Sequence, residues 1–177
     1  GEELGDKRVM AYSLNSIGNV HYFKGDYDKA LDYYERSLTI SEELGDKRGT
    51  GGNLNNIGVV YSEKGDYDNA FDYHIRSLEI REELSDKSGI GTLLNNIGNV
   101  YKSKGDYDKA LDYYTRSLPI HEEIGDKRGM TFPLNGIGIV YNYKGYYKKA
   151  EEYLQKSLAI KKEIGLGADK SLRTTAH

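Results

Sequence analysis

The stretch "NNIGVVYSEKGDYDNA" at residues 55–70 returns forty residues later as "NNIGNVYKSKGDYDKA" at 95–110, and stands forty residues earlier as "NSIGNVHYFKGDYDKA" at 15–30. A fourth copy keeps the register. Gly25, Gly65, Gly105 and Gly145 are spaced by 40, as are Ala30, Ala70, Ala110 and Ala150, and Leu38, Leu78, Leu118 and Leu158. A fixed period of this size marks a stacked array of small units. Four units cover residues 8–164, nearly the whole chain.

Each unit contains two helical patterns. Leu54, Ile57, Gly58 and Tyr61 fall at i, i+3, i+4 and i+7, which is one face of a helix. "KGD" then breaks the pattern: Gly65 suits a left-handed helix end, and Asp66 is placed to cap the next helix. In the second helix Ala70, Tyr73, His74, Ser77, Leu78 and Ile80 form the buried side, and the pattern stops near "ELSD" at 83–86. Links this short force neighbouring helices to run antiparallel. One helix pair cannot bury its apolar stripe alone; stacked pairs share a continuous core.

Composition excludes several classes. The 177 residues include no cysteine, so disulfides and cysteine-ligated metals are ruled out. Net charge is −3 with 30% charged residues of both signs interspersed, which gives nucleic acid no basic stripe to follow. No apolar run approaches the roughly 18–20 residues of a membrane span. The opening "GEELGDKRVM" is charged from its second residue and is no signal peptide. The expected location is the cytoplasm. The 17 tyrosines stand beside three phenylalanines and no tryptophan, so the unit itself places tyrosine repeatedly.

These residues resemble the tetratricopeptide repeat. The family pattern reads, in the third unit, Leu94, Ile97, Gly98, Tyr101, Ala110, Tyr114 and Ser117. Gly98 and Ala110 let two helix backbones approach, and the aromatics fill wider gaps. The chain departs in having Leu for the usual tryptophan, Ser for the last alanine and no closing proline. The added "EELGDKRG" segment lengthens the period to 40, as in repeats resembling those of spindle-orientation adaptors, kinesin light chains and bacterial signalling proteins. The resemblance implies an all-α, right-handed superhelical solenoid of antiparallel helix pairs. Residues 8–47, 48–87, 88–127 and 128–164 are the expected repeats. "GEELGDKR" at 1–8 copies "SEELGDKR" at 41–48, so residues 1–7 are expected to end a preceding repeat's second helix, in a piece of a longer array. Residues 165–177 are expected to be a tail or partial cap.

Repeat geometry of this kind lines a concave face with the first helices. Asparagine recurs there at one position of every unit, as Asn15, Asn55, Asn95 and Asn135, with Asn56 and Asn96 beside two of them. Asparagine is a mediocre helix former, so a column of it needs a reason. Its amide donates and accepts, and pairs with a peptide backbone whatever the side chains. The repeat domain of the O-GlcNAc transferase is similar in using such a ladder; bonding between adjacent helices is the competing explanation. The other groove positions differ between units: Tyr12, Phe23, Glu63, Lys102, Phe132 and Tyr143 are the candidate specificity contacts, and Asn19 and Asn99 are further candidate peptide-binding residues. Chaperone-binding relatives clamp a carboxylate with groove cations. Here the clamp's leading lysine position holds asparagine, and Lys102 is the only groove cation.

Other signals carry less. "GDYDKALD" begins like a calcium loop, but its sixth and twelfth positions hold Leu31 and Ser37 rather than Gly and Glu. Capping and dipole pairing by Asp26 and Asp28 explain it better. His21 and His74 take aromatic core positions and His121 a helix flank; none pairs with another at metal spacing. Asp46 reads as a cap with Lys47 and Arg48 in the following turn. Pro119 should kink its helix, while Pro133 lies early enough to be tolerated, and curvature should change between the third and fourth units. The expected function is a protein-interaction scaffold holding a partner's peptide in the concave groove. The alternative is a self-association or regulatory module stacking end to end through its open edge, within a larger signalling protein. No nucleophile–base pair, cofactor motif or metal ligand set speaks for an enzyme.

Overall fold

Three-residue turns fix the architecture. The structure, a computed structural model, describes residues 2–165, with side chains from residue 5 onward. Its helices are α1 (Glu2–Phe23), α2 (Tyr27–Glu43), α3 (Lys47–Glu63), α4 (Tyr67–Glu83), α5 (Lys87–Ser103), α6 (Tyr107–Glu123), α7 (Lys127–Tyr143) and α8 (Tyr147–Glu163). No strand occurs among the described residues. In six of the seven turns the middle residue is a glycine with φ between 64° and 79°. Such a turn closes with the next amide reaching back five residues: Asp66 N–H donates to the Tyr61 carbonyl at 2.9 Å. The exception is Ser85, at φ 52°. A Cβ in this region costs about 1 kcal/mol or more. Ser85→Gly is therefore expected to stabilise the chain by about 1 kcal/mol, read as a higher urea midpoint; a lower midpoint would refute it.

The next helix starts where an aspartate caps it. Asp46, Asp66, Asp86, Asp106 and Asp126 each accept from the amide three residues on. Asp26 does not: its carboxylate is taken by Lys29 at 2.8 Å. Asp28 pairs with Lys64 of the next unit at 2.6 Å. Lys104 and Asp68, and Lys144 and Asp108, repeat that rung, while Lys47 reaches Glu83 at 2.5 Å along the other edge. These pairs are largely exposed and contribute little each.

The core follows the repeat. Ala30, Tyr34, Leu54, Ile57 and Val60 form one buried cluster. Leu78, Leu93, Leu94 and Ile97 form the next, and Ala110, Tyr114, Ile137 and Val140 the third. A Cβ added to Gly98 would lie 2.7 Å from the Tyr114 ring, and one on Gly18 would lie 2.6 Å from Tyr34. The glycine of each first helix thus makes room for the large residue of the second. The serine that replaces the usual alanine is buried and bonded. Ser37, Ser77, Ser117 and Ser157 donate to the carbonyls of Ala11, Gly51, Gly91 and Thr131, tying the two helices of every pair together.

First helices touch one another along the array, whereas second helices touch only first helices. The first-helix layer is the tighter one. Three expectations need correction. α1 runs from Glu2 to Phe23 without a turn at Gly5, so the stretch expected to end a preceding helix continues into the first one. α6 passes through Pro119 and keeps the same 17-residue span as α2 and α4; the proline lies on the exposed side. Pro133 is the seventh residue of α7 rather than a first-turn residue, and its buried ring packs in a continuous helix. More of α7 lies against α5 than of α3 against α1 or of α5 against α3. Gly136 lets α7 pack on α6: a Cβ there would lie 2.5 Å from the Tyr114 ring. The tail from residue 166 lies outside the described residues.

Candidate functional site

The asparagine column is partly engaged within the chain. Asn15 donates to the Asn53 side chain of α3 at 2.7 Å, and Asn53 donates on to Ser41 at 3.4 Å. Asn15 also accepts from Asn19 at 3.4 Å. At the next junction Asn96 donates to Asn55 at 3.0 Å. Toward the other end this bracing stops. Asn95 is 8% exposed and its Oδ1 is buried with no partner, and Asn135 makes no side-chain hydrogen bond among the described residues. Amide capacity therefore remains on Asn55, Asn95 and Asn135, while that of Asn15 is largely used. Asn56 is half-buried beside this run.

Asn19 and Asn99 have a further task. Each accepts a hydrogen bond at 2.7 Å from a buried tyrosine hydroxyl of its own pair, Tyr34 and Tyr114 respectively. Where the core residue is His74 the groove position holds Val59, and where it is Leu154 it holds Ile139. Two columns thus change together, polar with tyrosine and apolar otherwise. That coupling was present in the sequence and could have marked Asn19 and Asn99 as acceptors for the core.

The aromatic candidates stand open. Phe23 is 84% exposed at one end, its ring edge-on to Tyr22, and Tyr12 is exposed one helix turn from Asn15. Phe132 is 54% exposed at the other end, and Tyr143 stacks on Tyr107 with centroids 5.4 Å apart. Glu63 is exposed and lies near enough to Tyr22 to raise its phenol pKa, after the larger effect of burial. Lys102 is half-buried, reaches Asn99 at 3.4 Å, and is held below the usual lysine range by burial.

At each junction between units the structure makes a niche that sequence reasoning missed. The cap aspartate lies at its base, and the residue five positions earlier decides its contents. At the second junction Arg81 fills it, Nη1 lying 2.8 Å from Asp86. At the third, His121 is buried with Nδ1 3.0 Å from Asp126, so it is a core residue and not the flank residue expected. A space of about 220 Å³ remains beside it, lined by Asn95, Asn96 and Phe132. At the first junction the residue is Ser41, and a space of about 260 Å³ opens, lined by Tyr12, Asn15, Asp46, Asn53 and Asn55.

Helix pairs in a 40-residue register, bound through small residues under aromatics, define a helical repeat protein. The tetratricopeptide repeat model matches residues 9–83, 52–123 and 89–163, and the chain belongs to that family. Among curated protein sequences no significant match is found. Of solved structures, BtubC (BKLC) from P. vanneervenii is similar at 23% identity and TM-score 0.79, over 97% of this chain and 70% of its own. Aspartyl phosphate phosphatase F from Bacillus subtilis is similar at 19% identity and TM-score 0.85, over 90% of this chain and 42% of its own. A Rap protein complexed with Competence and Sporulation Factor is similar at 20% identity and TM-score 0.81, over 92% of this chain and 44% of its own. The chain spans less than half the length of the last two. Likeness at these identities speaks for the fold. No helix among the described residues is long and apolar enough to cross a membrane.

Proposed function

We propose that this chain is a non-enzymatic interaction scaffold that holds an extended peptide segment of a partner protein along its first helices. The observation that carries this reading is the amide capacity left along the column, all of it at Asn135, the donor side of Asn55 and the unpartnered amide of the largely buried Asn95, set between exposed aromatics at Tyr12 and Phe132. Amides supply sequence-independent bonds to a peptide backbone. Phe23, Glu63, Lys102 and Tyr143 vary between units and set which peptide is preferred. The Rap protein solved with Competence and Sporulation Factor supports a binding role at the level of the fold. The test is a peptide-display selection on the purified chain, with Asn55→Ala/Asn95→Ala/Asn135→Ala measured in parallel after its helicity is checked. Enriched peptides are expected to bind the triple variant at least about tenfold more weakly, since each lost backbone bond is worth about 1 kcal/mol. Equal binding to the folded variant would leave the asparagines as helix braces only.

A second reading follows from the ends. α1 exposes Val9, Met10, Ile17 and Val20, and α8 exposes Leu154 and Leu158. These rows fit another helix pair, so end-to-end stacking on a second copy is the alternative. A mass that rises with concentration would favour it, and a mass constant from micromolar to millimolar would remove it.

A further inference from the structure

We propose that the open niche at the first unit junction is a guanidinium site, which seats an arginine side chain of the bound partner. The argument comes from comparing the chain with itself. At the second junction the Asp86 side chain uses one oxygen to cap α5, accepting from Gly89 N–H at 3.0 Å, and gives the other to Arg81 at 2.8 Å. At the third junction Asp126 does the same, with one oxygen on Gly129 N–H at 2.8 Å and the other on His121 at 3.0 Å. At the first junction Asp46 Oδ1 caps α3 from Gly49 N–H at 3.1 Å, but the residue that would satisfy Oδ2 is Ser41. Among the described residues Asp46 has no ion-pair partner. The space that Arg81 fills one unit later is here about 260 Å³ and open to the groove.

The niche suits a guanidinium in particular. Arg81 shows the pose: its Nε lies 3.3 Å from where a Cβ on Gly51 would stand, and Nη2 3.7 Å from one on Gly52. At the first junction Ala11 and Tyr12 stand in place of Gly51 and Gly52 and line the space, so a guanidinium there sits farther out from α1 than Arg81 does from α3. Tyr12 adds an exposed aromatic face on which a planar cation stacks. Ser41 is buried and already accepts from Asn53, and Asn15 and Asn55 border the same space, so polar oxygens ring the carboxylate. Arg8 also lines the space but does not argue against a second cation. By register Arg48 holds the same place at the second junction, where Arg81 is seated.

This inference rests on the groove reading only for the source of the arginine, and the experiment separates the two. N-acetyl-arginine-N-methylamide, and its lysine and glutamine counterparts, are titrated into the ¹⁵N-labelled chain while the Gly49 amide and Asn53 side-chain amide are followed by NMR. Saturating shifts with the arginine probe are expected, at least about fivefold weaker with lysine and absent with glutamine. Asp46→Asn keeps a good helix cap and removes the charge; Ser41→Arg fills the niche as position 81 already does. Both variants should abolish the shifts. Equal response to arginine and glutamine, equal affinity for lysine, or shifts that survive in folded Asp46→Asn would each overturn the assignment. Peptides enriched by display without an arginine whose change to glutamine weakens binding would sink the guanidinium site and leave the groove reading standing. Arginine-probe binding with no enriched peptide would do the reverse.

Discussion

Tyr114→Ala is expected to lower stability by about 3–5 kcal/mol, the range for removing a large buried aromatic side chain. Tyr114 is 0% exposed and touches both its own pair and the next. Its ring lies against Gly98 of its own pair and Gly136 of the next, and its hydroxyl donates to Asn99 at 2.7 Å. Burial also pushes the phenol pKa up, so the hydroxyl stays a donor across the working range. Truncation empties the interface between the third and fourth units and leaves Asn99 without its donor. In a solenoid, stability is close to a sum of unit and neighbour terms, so one lost interface cuts the cooperative chain in two. For a protein of this size the change corresponds to a melting point lower by roughly 6–20 °C, with a broadened transition. Tyr114→Phe keeps the ring and loses about 1 kcal/mol. Urea unfolding followed by circular dichroism measures both. A loss below about 1 kcal/mol for the alanine variant would show that the ring does not bridge the units.

The parts of this molecule that were legible in its sequence are those set by local chemistry and repetition. Gly65 and Asp66 announced a turn and a cap because glycine tolerates positive φ and aspartate accepts an amide within four residues; both events are local. The 40-residue spacing of Ala30, Ala70, Ala110 and Ala150 gave the stacking, and all four are buried. What was not legible depends on contacts between helices, most of them 26–41 residues apart. Ser117 reads as a weak alanine until its hydroxyl meets the Gly91 carbonyl. Asn15 and Asn55 read as groove ligands, but whether an amide is already used depends on Asn53 and Asn96 in neighbouring units. His121 looked like a flank residue because the burying surface, Gly91 and Gly129, comes from two other helices. Pro119 misled in the opposite sense, since a proline on the exposed side of a helix packed on both flanks does not end it.

His74 makes the second large effect a function of pH. It occupies the place that Tyr34 and Tyr114 hold in neighbouring units, fully buried, with Nδ1 unpartnered, and burial pushes its pKa down to about 4. An unfolded histidine titrates near 6.5. Above that value neither state carries the proton, and protonation of His74 makes no difference to stability. As pH falls from 6.5 toward 4 the unfolded chain binds a proton that the folded chain refuses, so stability drops. The loss by pH 4 is about 3 kcal/mol, from roughly 2.5 pKa units at 1.36 kcal/mol each. His74→Phe should abolish this part of the acid sensitivity, leaving only the carboxylate contribution that both proteins share. Unfolding free energies at pH 7.5 and 4.5 check it; an unchanged pH difference in the phenylalanine variant would refute it. The columns also predict how tyrosine would behave here. His74→Tyr alone places a hydroxyl against Val59, whereas His74→Tyr with Val59→Asn rebuilds the pairing of Tyr34 with Asn19 and Tyr114 with Asn99. The double variant should exceed the sum of the single changes by about 1–2 kcal/mol. A coupling near zero would mean that Asn19 and Asn99 owe their places to the groove and not to the core.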